Sequence, residues 1–362
     1  MGQRIEWVSS AKGLAMIAVI VIHISYGIPD DGLFPLRTFI CGWSILVFYL
    51  IAGFFLSEAK LLSPFKFIIG KAKRLYLKLL AYYIPAVLLH NVLILLGLYA
   101  VGSWYGGKEM HFYGTGDFLR NIVLTIFFAG REPIVGALWF IYVLFLSLSV
   151  LSLISWVLRK IIKDSGLYEW IRLFVLFFLC IGSTEAANVL GIYIPRFSNT
   201  LTAMWLIYCG YKLRSLFKVE FTNPWLALVS LLILWQSASL GPGFGAIGGL
   251  AHADAVSLTV SSVAALYLTC FIAHLVESRF LGNILSQIGE CSFHIMALHL
   301  LAFKAGTLLL RASGILNPDL SSLLAPAQGS LLLFIYYAVL GVGLPVLLVK
   351  IAKRLRRIAK NT

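Results

Sequence analysis

The chain predicts an all-α fold, a polytopic transmembrane helical bundle, and three observations carry that expectation. Sixty per cent of its 362 residues are hydrophobic and only 12% are charged. Mean hydropathy is +0.93. The apolar residues gather in long runs, and about 20 such residues make a helix that crosses a ~30 Å hydrocarbon core.

About ten spans are expected, at roughly 10–29, 38–57, 76–100, 137–158, 171–191, 199–213, 225–241, 255–276, 288–310 and 329–350. No small-residue cleavage site follows the first, so it reads as an uncleaved signal anchor. The second and third flank a basic stretch, 58–75. Between the third and fourth, Phe118–Gly130 is apolar but too short to cross. It is expected to be a short re-entrant or interfacial segment on the outer side. The fourth and fifth spans enclose Arg159, Lys160 and Lys163. The sixth, 199–213, is short for the bilayer and is expected to be partly unwound. The last ends in the cluster Lys353, Arg354, Arg356, Arg357 and Lys360.

Charge sets the sidedness. With the N-terminus inside, inner loops carry most of the lysines and arginines. The outer ones hold only Arg37, Lys108, Arg120, Arg131, Arg196 and Arg311. This positive-inside bias places both termini in the cytoplasm and the chain in the inner (plasma) membrane. Counting Phe118–Gly130 as a span would reverse Arg159, Lys160 and Lys163, so it is not counted.

A net charge of +14 would suit nucleic-acid binding, but its distribution over short loops between apolar runs argues for the lipid bilayer as partner instead. The five cysteines lie one per apolar segment with no CxxC spacing, which indicates neither a disulfide framework nor a zinc site. Gly241–Gly249 is glycine-rich but lacks the lysine and strand–helix setting of a phosphate loop. No stretch is long and polar enough for a soluble domain, so residues 1–362 are expected to form one membrane-embedded domain.

Lys12 and His23 are the most informative pair. Eleven positions at ~100° each make three turns plus ~20°, so both side chains lie on one helical face, roughly 16 Å apart along the axis. Their surroundings, Ala11 to Ile28, are otherwise nearly all apolar. A lysine at mid-bilayer costs ~2.5–3.5 kcal/mol on insertion scales, so such residues face a protein interior or a wet cavity. His23 fits two roles, an interhelical hydrogen bond or a general base working near its ordinary pKa of ~6.5. Lys12 alone would be a snorkelling lysine. Together they suggest a polar shaft entered from the cytoplasm with the imidazole at its far end.

Lys71, Arg74 and Lys78 follow i, i+3, i+7 spacing, forming a basic stripe where the third span begins. Positive-inside bias explains them, and so does a cradle for the phosphates of a nucleotide-containing cofactor. In 288–310, Glu290 and His294 stand one turn apart and are expected to pair. His299 is offset from His294 by ~140°, so the two cannot share a ligand on a straight helix and no metal site is expected. Glu185 and Asn188 make another one-turn pair, expected to be buried as interhelical glue or a functional carboxylate. Trp139 at the outer start of the fourth span suits an aromatic belt or a sugar-stacking surface.

Several stretches resemble the membrane acyltransferase family 3, the bacterial integral-membrane O-acyltransferases. Trp7 to His23 is similar to that family's first helix, with a basic residue eleven positions before a histidine. Phe48-Tyr-Leu-Ile-Ala-Gly53-Phe-Phe resembles its second-span motif with alanine in place of serine. Lys71-Ala-Lys-Arg74 is similar to its basic loop motif, and Leu138-Trp139-Phe140 and Ile288–His299 resemble two later ones. The chain departs from the pattern at Ser9 and Ser10, where an acidic residue is usual, at His294, near a usual tyrosine, and in lacking a proline after the basic motif.

The resemblance implies transfer of an acyl group, usually acetyl, from cytoplasmic acyl-CoA (acetyl-CoA) to a hydroxyl of a cell-envelope glycan. It makes His23 and Lys12 the catalytic candidates, and Lys12, Lys71 and Arg74 the holders of the CoA phosphates. Trp139, Glu185, Glu290, His294 and His299 form a second tier. The alternative class is a transporter or flippase for a lipid-linked glycan, with Glu185, Glu290 and the histidines as a proton relay. No matched pair of interrupted helices supports it.

Overall fold

The computed structural model describes residues 6–25, 39–40, 43–105, 108–215, 217–239, 254–277, 279–314, 316, 322–326 and 330–361. Gly241–Gly249 lies outside them. Helix α1 (Glu6–Ser25) is followed by α2 (Leu46–Phe54) and a short turn, Glu58–Leu61. Next, α3 (Pro64–Lys71), a π-helical turn (Ala72–Tyr76) and α4 (Leu77–Leu88) succeed one another without a break. After a short helix, His90–Leu95, come α5 (Thr115–Ile126), a 3-10 segment (Pro133–Leu138) and α6 (Trp139–Ile161). The chain continues with α7 (Ser165–Asn188), α8 (Pro195–Ser215), α9 (Pro224–Ser239) and α10 (Ala255–Val276). It closes with α11 (Phe280–Glu290), α12 (Ser292–Ala312) and α13 (Leu331–Asn361). Among the described residues the only sheet is the antiparallel pair Trp104–Tyr105 and Lys108–Glu109.

Among the described residues, six helices are long and apolar enough to cross a membrane: Glu6–Ile24, Pro133–Ile161, Ser165–Asn188, Ala255–Val276, Ser292–Ala312 and Leu331–Ala359. Each overlaps an expected span. The other four expected spans are shorter or interrupted helices, or, in α8, a helix of 21 residues that also carries Arg196, Lys212 and Arg214. The segment expected to be re-entrant is mostly α5, which packs on α4 and buries Asn121 and Thr125.

Local chemistry fixes several ends. Asp164 caps α7 by accepting from the Leu167 amide at 2.7 Å, and Asp254 caps α10 through the Ser257 amide at 2.8 Å. The span expected as 288–310 is broken at Cys291, which ends α11 and precedes α12. Glu290 and His294 therefore belong to different helices.

The closest packing is backbone to backbone. On α1 and α11, a Cβ at Gly13 would lie 2.0 Å from the Leu285 carbonyl oxygen, and one at Gly289 only 1.8 Å from that of Ser9. Helices α2 and α8 meet the same way at Gly53 and Gly210. Small residues at such crossings let helices gain dispersion energy where lipid supplies no hydrophobic drive.

At the end of the bundle near Lys71, a charged cluster ties α7 to α8 and to the 58–61 turn. Arg172, fully buried, places Nη1 2.9 Å from both carboxylate oxygens of Glu58 and Nη2 2.6 Å from Glu169. Lys212 closes on Glu169, and the Tyr211 hydroxyl donates to Glu58 at 2.9 Å. A buried guanidinium is tolerable because each charge has an opposite partner.

Candidate active site

Two cavities lie back to back in the bundle. The first, about 550 Å³, is lined by Lys12 of α1, Lys71 and Arg74 of the α3–π segment, and Ser292 and Phe293 of α12. Its apolar wall includes Met16, Phe140 and Met296. The second, about 960 Å³, is lined by His23, Tyr83, Trp104, Arg131, Trp139 and Arg196, among others.

Helical periodicity accounts for both ends: Lys12, Met16 and His23 lie on one stripe of α1. Lys12 and His23, expected to share a single shaft, line two different cavities. The two cavities have no lining residue in common, and His23 opens on the second. Met16, on the same stripe and 1% exposed, lines the first. Periodicity aligns side chains on a helix but says nothing of what packs across from them.

The π turn re-aims the basic stripe. An i→i+5 turn adds a residue to the helical repeat, a distortion frequent at functional sites. Lys71 and Arg74 line the first cavity, while Lys78 places its ammonium 6.0 Å from the Phe293 ring centroid. Burial, then the charges of Arg74, Lys60 and Lys12, pushes Lys71 down to about 8. It is therefore mostly charged at neutral pH and loses that charge as pH rises through 8. Anion affinity at this cavity is expected to fall between pH 7 and 9 in the native chain. In Lys71→Arg, whose guanidinium stays charged, the fall should be absent. Titrating the binding of an adenosine bisphosphate at each pH would check this.

His23 holds Nδ1 2.7 Å from the Val19 carbonyl oxygen, one turn back. A carbonyl only accepts, so Nδ1 carries the proton and Nε2 of the neutral ring keeps a lone pair. His299 is built alike, with Nδ1 2.9 Å from the Ile295 carbonyl. The two rings meet edge to face, centroids 4.8 Å apart, and the buried Nε2 of His299 has no hydrogen-bond partner. The structure thus brings His23 and His299 together from α1 and α12.

Other sequence candidates separate from this pair. The His294 Nδ1 lies 2.6 Å from the Tyr82 hydroxyl on α4. Glu290 stays on α11, before the break. Glu185 and Asn188, expected to be buried, are both exposed: α7 turns Ser183, Thr184 and Ala187 inward and leaves the pair on its outer face. Trp139 lines the second cavity beside His23.

Sequence reasoning counted Arg131 and Arg196 only for sidedness, and it missed Glu132. That carboxylate, 1% exposed, accepts from His90 Nδ1 at 2.9 Å, Tyr99 at 2.7 Å and Tyr113 at 3.2 Å. It anchors the segment that delivers Arg131 and Trp139 to the second cavity. The available signal was the scarcity of basic residues outside, which made each one there worth explaining.

Fold and site define a helical bundle, with six helices among the described residues long and apolar enough to cross a membrane, that carries a cationic cavity and a histidine-bearing one. The acyltransferase 3 family profile, described as an acyltransferase domain, matches residues 5–350, and the chain belongs to that family. No curated protein and no solved structure matches it significantly.

Proposed function

We propose that the protein transfers an acyl group from cytoplasmic acyl-CoA, acetyl-CoA in the usual case, to a hydroxyl of a cell-envelope glycan. One observation carries this reading: three cations line one cavity, and a histidine whose Nδ1 is engaged by the Val19 carbonyl lines the other. Lys12, Lys71 and Arg74 hold the CoA phosphates at the cytoplasmic face. The pantetheine arm runs along the α1 stripe toward His23, and the acceptor enters from the outer side beside Trp139.

Between the cavities the arm must pass Met16, Met296 and Phe140. Two of the chain's five methionines stand there, and their unbranched, three-torsion side chains move aside at low cost for a thin chain. The acceptor hydroxyl oxygen then attacks the thioester carbonyl. His23 Nε2 takes the hydroxyl proton, a C–O bond forms, the C–S bond breaks, and the imidazolium returns the proton to the CoA sulfur. His299 packs against the His23 ring and keeps its Nε2 turned to the reaction.

The test uses sealed inverted membrane vesicles given labelled acetyl-CoA, with mass spectrometry of the envelope glycans. Label in a glycan ester, dependent on the protein, supports the reading. Glycan flux into proteoliposomes without acyl-CoA would instead favour the transporter. A second measurement isolates the donor site. Lys71→Ala with Arg74→Ala should raise the KM for acyl-CoA at least tenfold, from two lost charge-assisted contacts, and leave the protein inserted. An unchanged KM would remove these residues from the site.

A further inference from the structure

The charged side chains that line the second cavity, among the described residues, are cationic. Arg131 and Arg196 both line it, and among the described residues no aspartate or glutamate does. Neither arginine is paired with a carboxylate among the described residues. Arg196 instead sets its guanidinium 5.8 Å from the Tyr142 ring centroid.

Two acids close to this wall are committed elsewhere, and Glu109, across the hairpin from Trp104, is exposed. Glu132 directly follows Arg131, yet the chain turns the two apart: Arg131 is exposed at the cavity, while Glu132 is buried under three donors. Asp117 accepts from the Gly114 amide at 3.0 Å and lies 3.8 Å from His111. Two guanidiniums that line one cavity with no carboxylate among its described lining residues favour an occupant that brings negative charge.

The same wall offers ring faces. Trp104 and Trp139 line the cavity with Arg131, Arg196 and His23. Aromatic faces suit the apolar face of a pyranose, and a guanidinium fork suits a carboxylate or phosphate. We infer that the second cavity binds an anionic sugar, one whose carboxylate or phosphate sits between Arg131 and Arg196 while a hydroxyl of the same glycan reaches His23. This rests on the acyl-transfer reading and narrows its acceptor to a charged glycan.

The test is binding, read from the quenching of cavity tryptophan fluorescence in a non-ionic, phosphate-free detergent. The probes are trigalacturonate, glucose 1-phosphate and neutral galactotriose. The acidic sugars should bind at least tenfold tighter than the neutral one at low salt. Arg131→Gln and Arg196→Gln should each weaken the acidic probes by about tenfold and leave galactotriose unchanged. Arg131→Lys and Arg196→Lys, which keep the charge, should retain part of the preference and guard against misfolding. Equal affinity for charged and neutral sugars overturns the proposal, as does a preference that survives the double glutamine variant. So does tighter binding of added phosphatidylglycerol that displaces the acidic probes, which assigns the arginines to a lipid phosphate. His23→Ala should keep the preference while losing acyl transfer. Transfer that survives in His23→Ala refutes the catalytic reading, and a lost preference refutes only the acceptor.

Discussion

Replacing His23 with alanine is expected to abolish acyl transfer while sparing acyl-CoA binding. A positioned general base contributes roughly 10²–10⁴-fold, so the residual rate should fall near the detection limit of a membrane assay. The expectation follows from geometry. The Val19 carbonyl fixes the tautomer, which leaves Nε2 basic and directed away from the helix backbone. The proposed site for the donor's charged end is the other cavity, whose lining residues do not include His23. The KM for acyl-CoA should therefore change little while kcat collapses. The neighbouring His299→Ala should be milder, because that ring is fully buried and supports His23 rather than meeting substrate. A base and an acyl carrier differ in one measurable respect. A carrier would release one CoA per protein before any acceptor is added, whereas a base releases none. Full activity in His23→Ala would end both.

Much of this was legible in the residues because helical periodicity is a strong local signal. The stripe joining Lys12 to His23 needed only the 3.6-residue repeat, and structure and sequence agree on it. The six long apolar helices likewise follow from composition along the chain. What could not be read is tertiary. The apolar wall that Met16, Met296 and Phe140 give the first cavity draws on three helices, and no single-segment pattern contains it. Glu185 looked buried because its span is apolar, but which face of α7 turns inward depends on α8 and α10. The break at Cys291 and the π turn at Ala72–Tyr76 leave apolar patterning intact while altering direction. Arg172 with Glu58 and Glu169 gathers residues more than a hundred positions apart, so an ion cluster that holds three segments was invisible until the fold was known.

Alanine at Gly289 or Gly53 is expected to cost more stability than any charge removal outside a cluster. Each added methyl would stand 1.8 Å from a carbonyl oxygen of the facing helix, Ser9 for Gly289 and Ile207 for Gly53. Overpacking usually costs about 1–3 kcal/mol because side chains shift to make room. Here the obstacle is backbone, which moves only if a whole helix moves, so the cost should sit at or above the top of that range. Melting in detergent should show a large drop in Tm or no monodisperse protein. Gly182→Ala on α7 is the matched control: nothing lies within 4 Å of the place its methyl would take, so it should be neutral or slightly stabilising through helix propensity. If all three variants melted alike, the close crossings would not hold this bundle. The Gly289 crossing also bears on chemistry, because Ser9 lies one turn before Lys12 on α1. Pushing α1 off α11 moves the cation that lines the donor cavity, so a surviving Gly289→Ala protein should show a raised KM for acyl-CoA, and Gly53→Ala a smaller one.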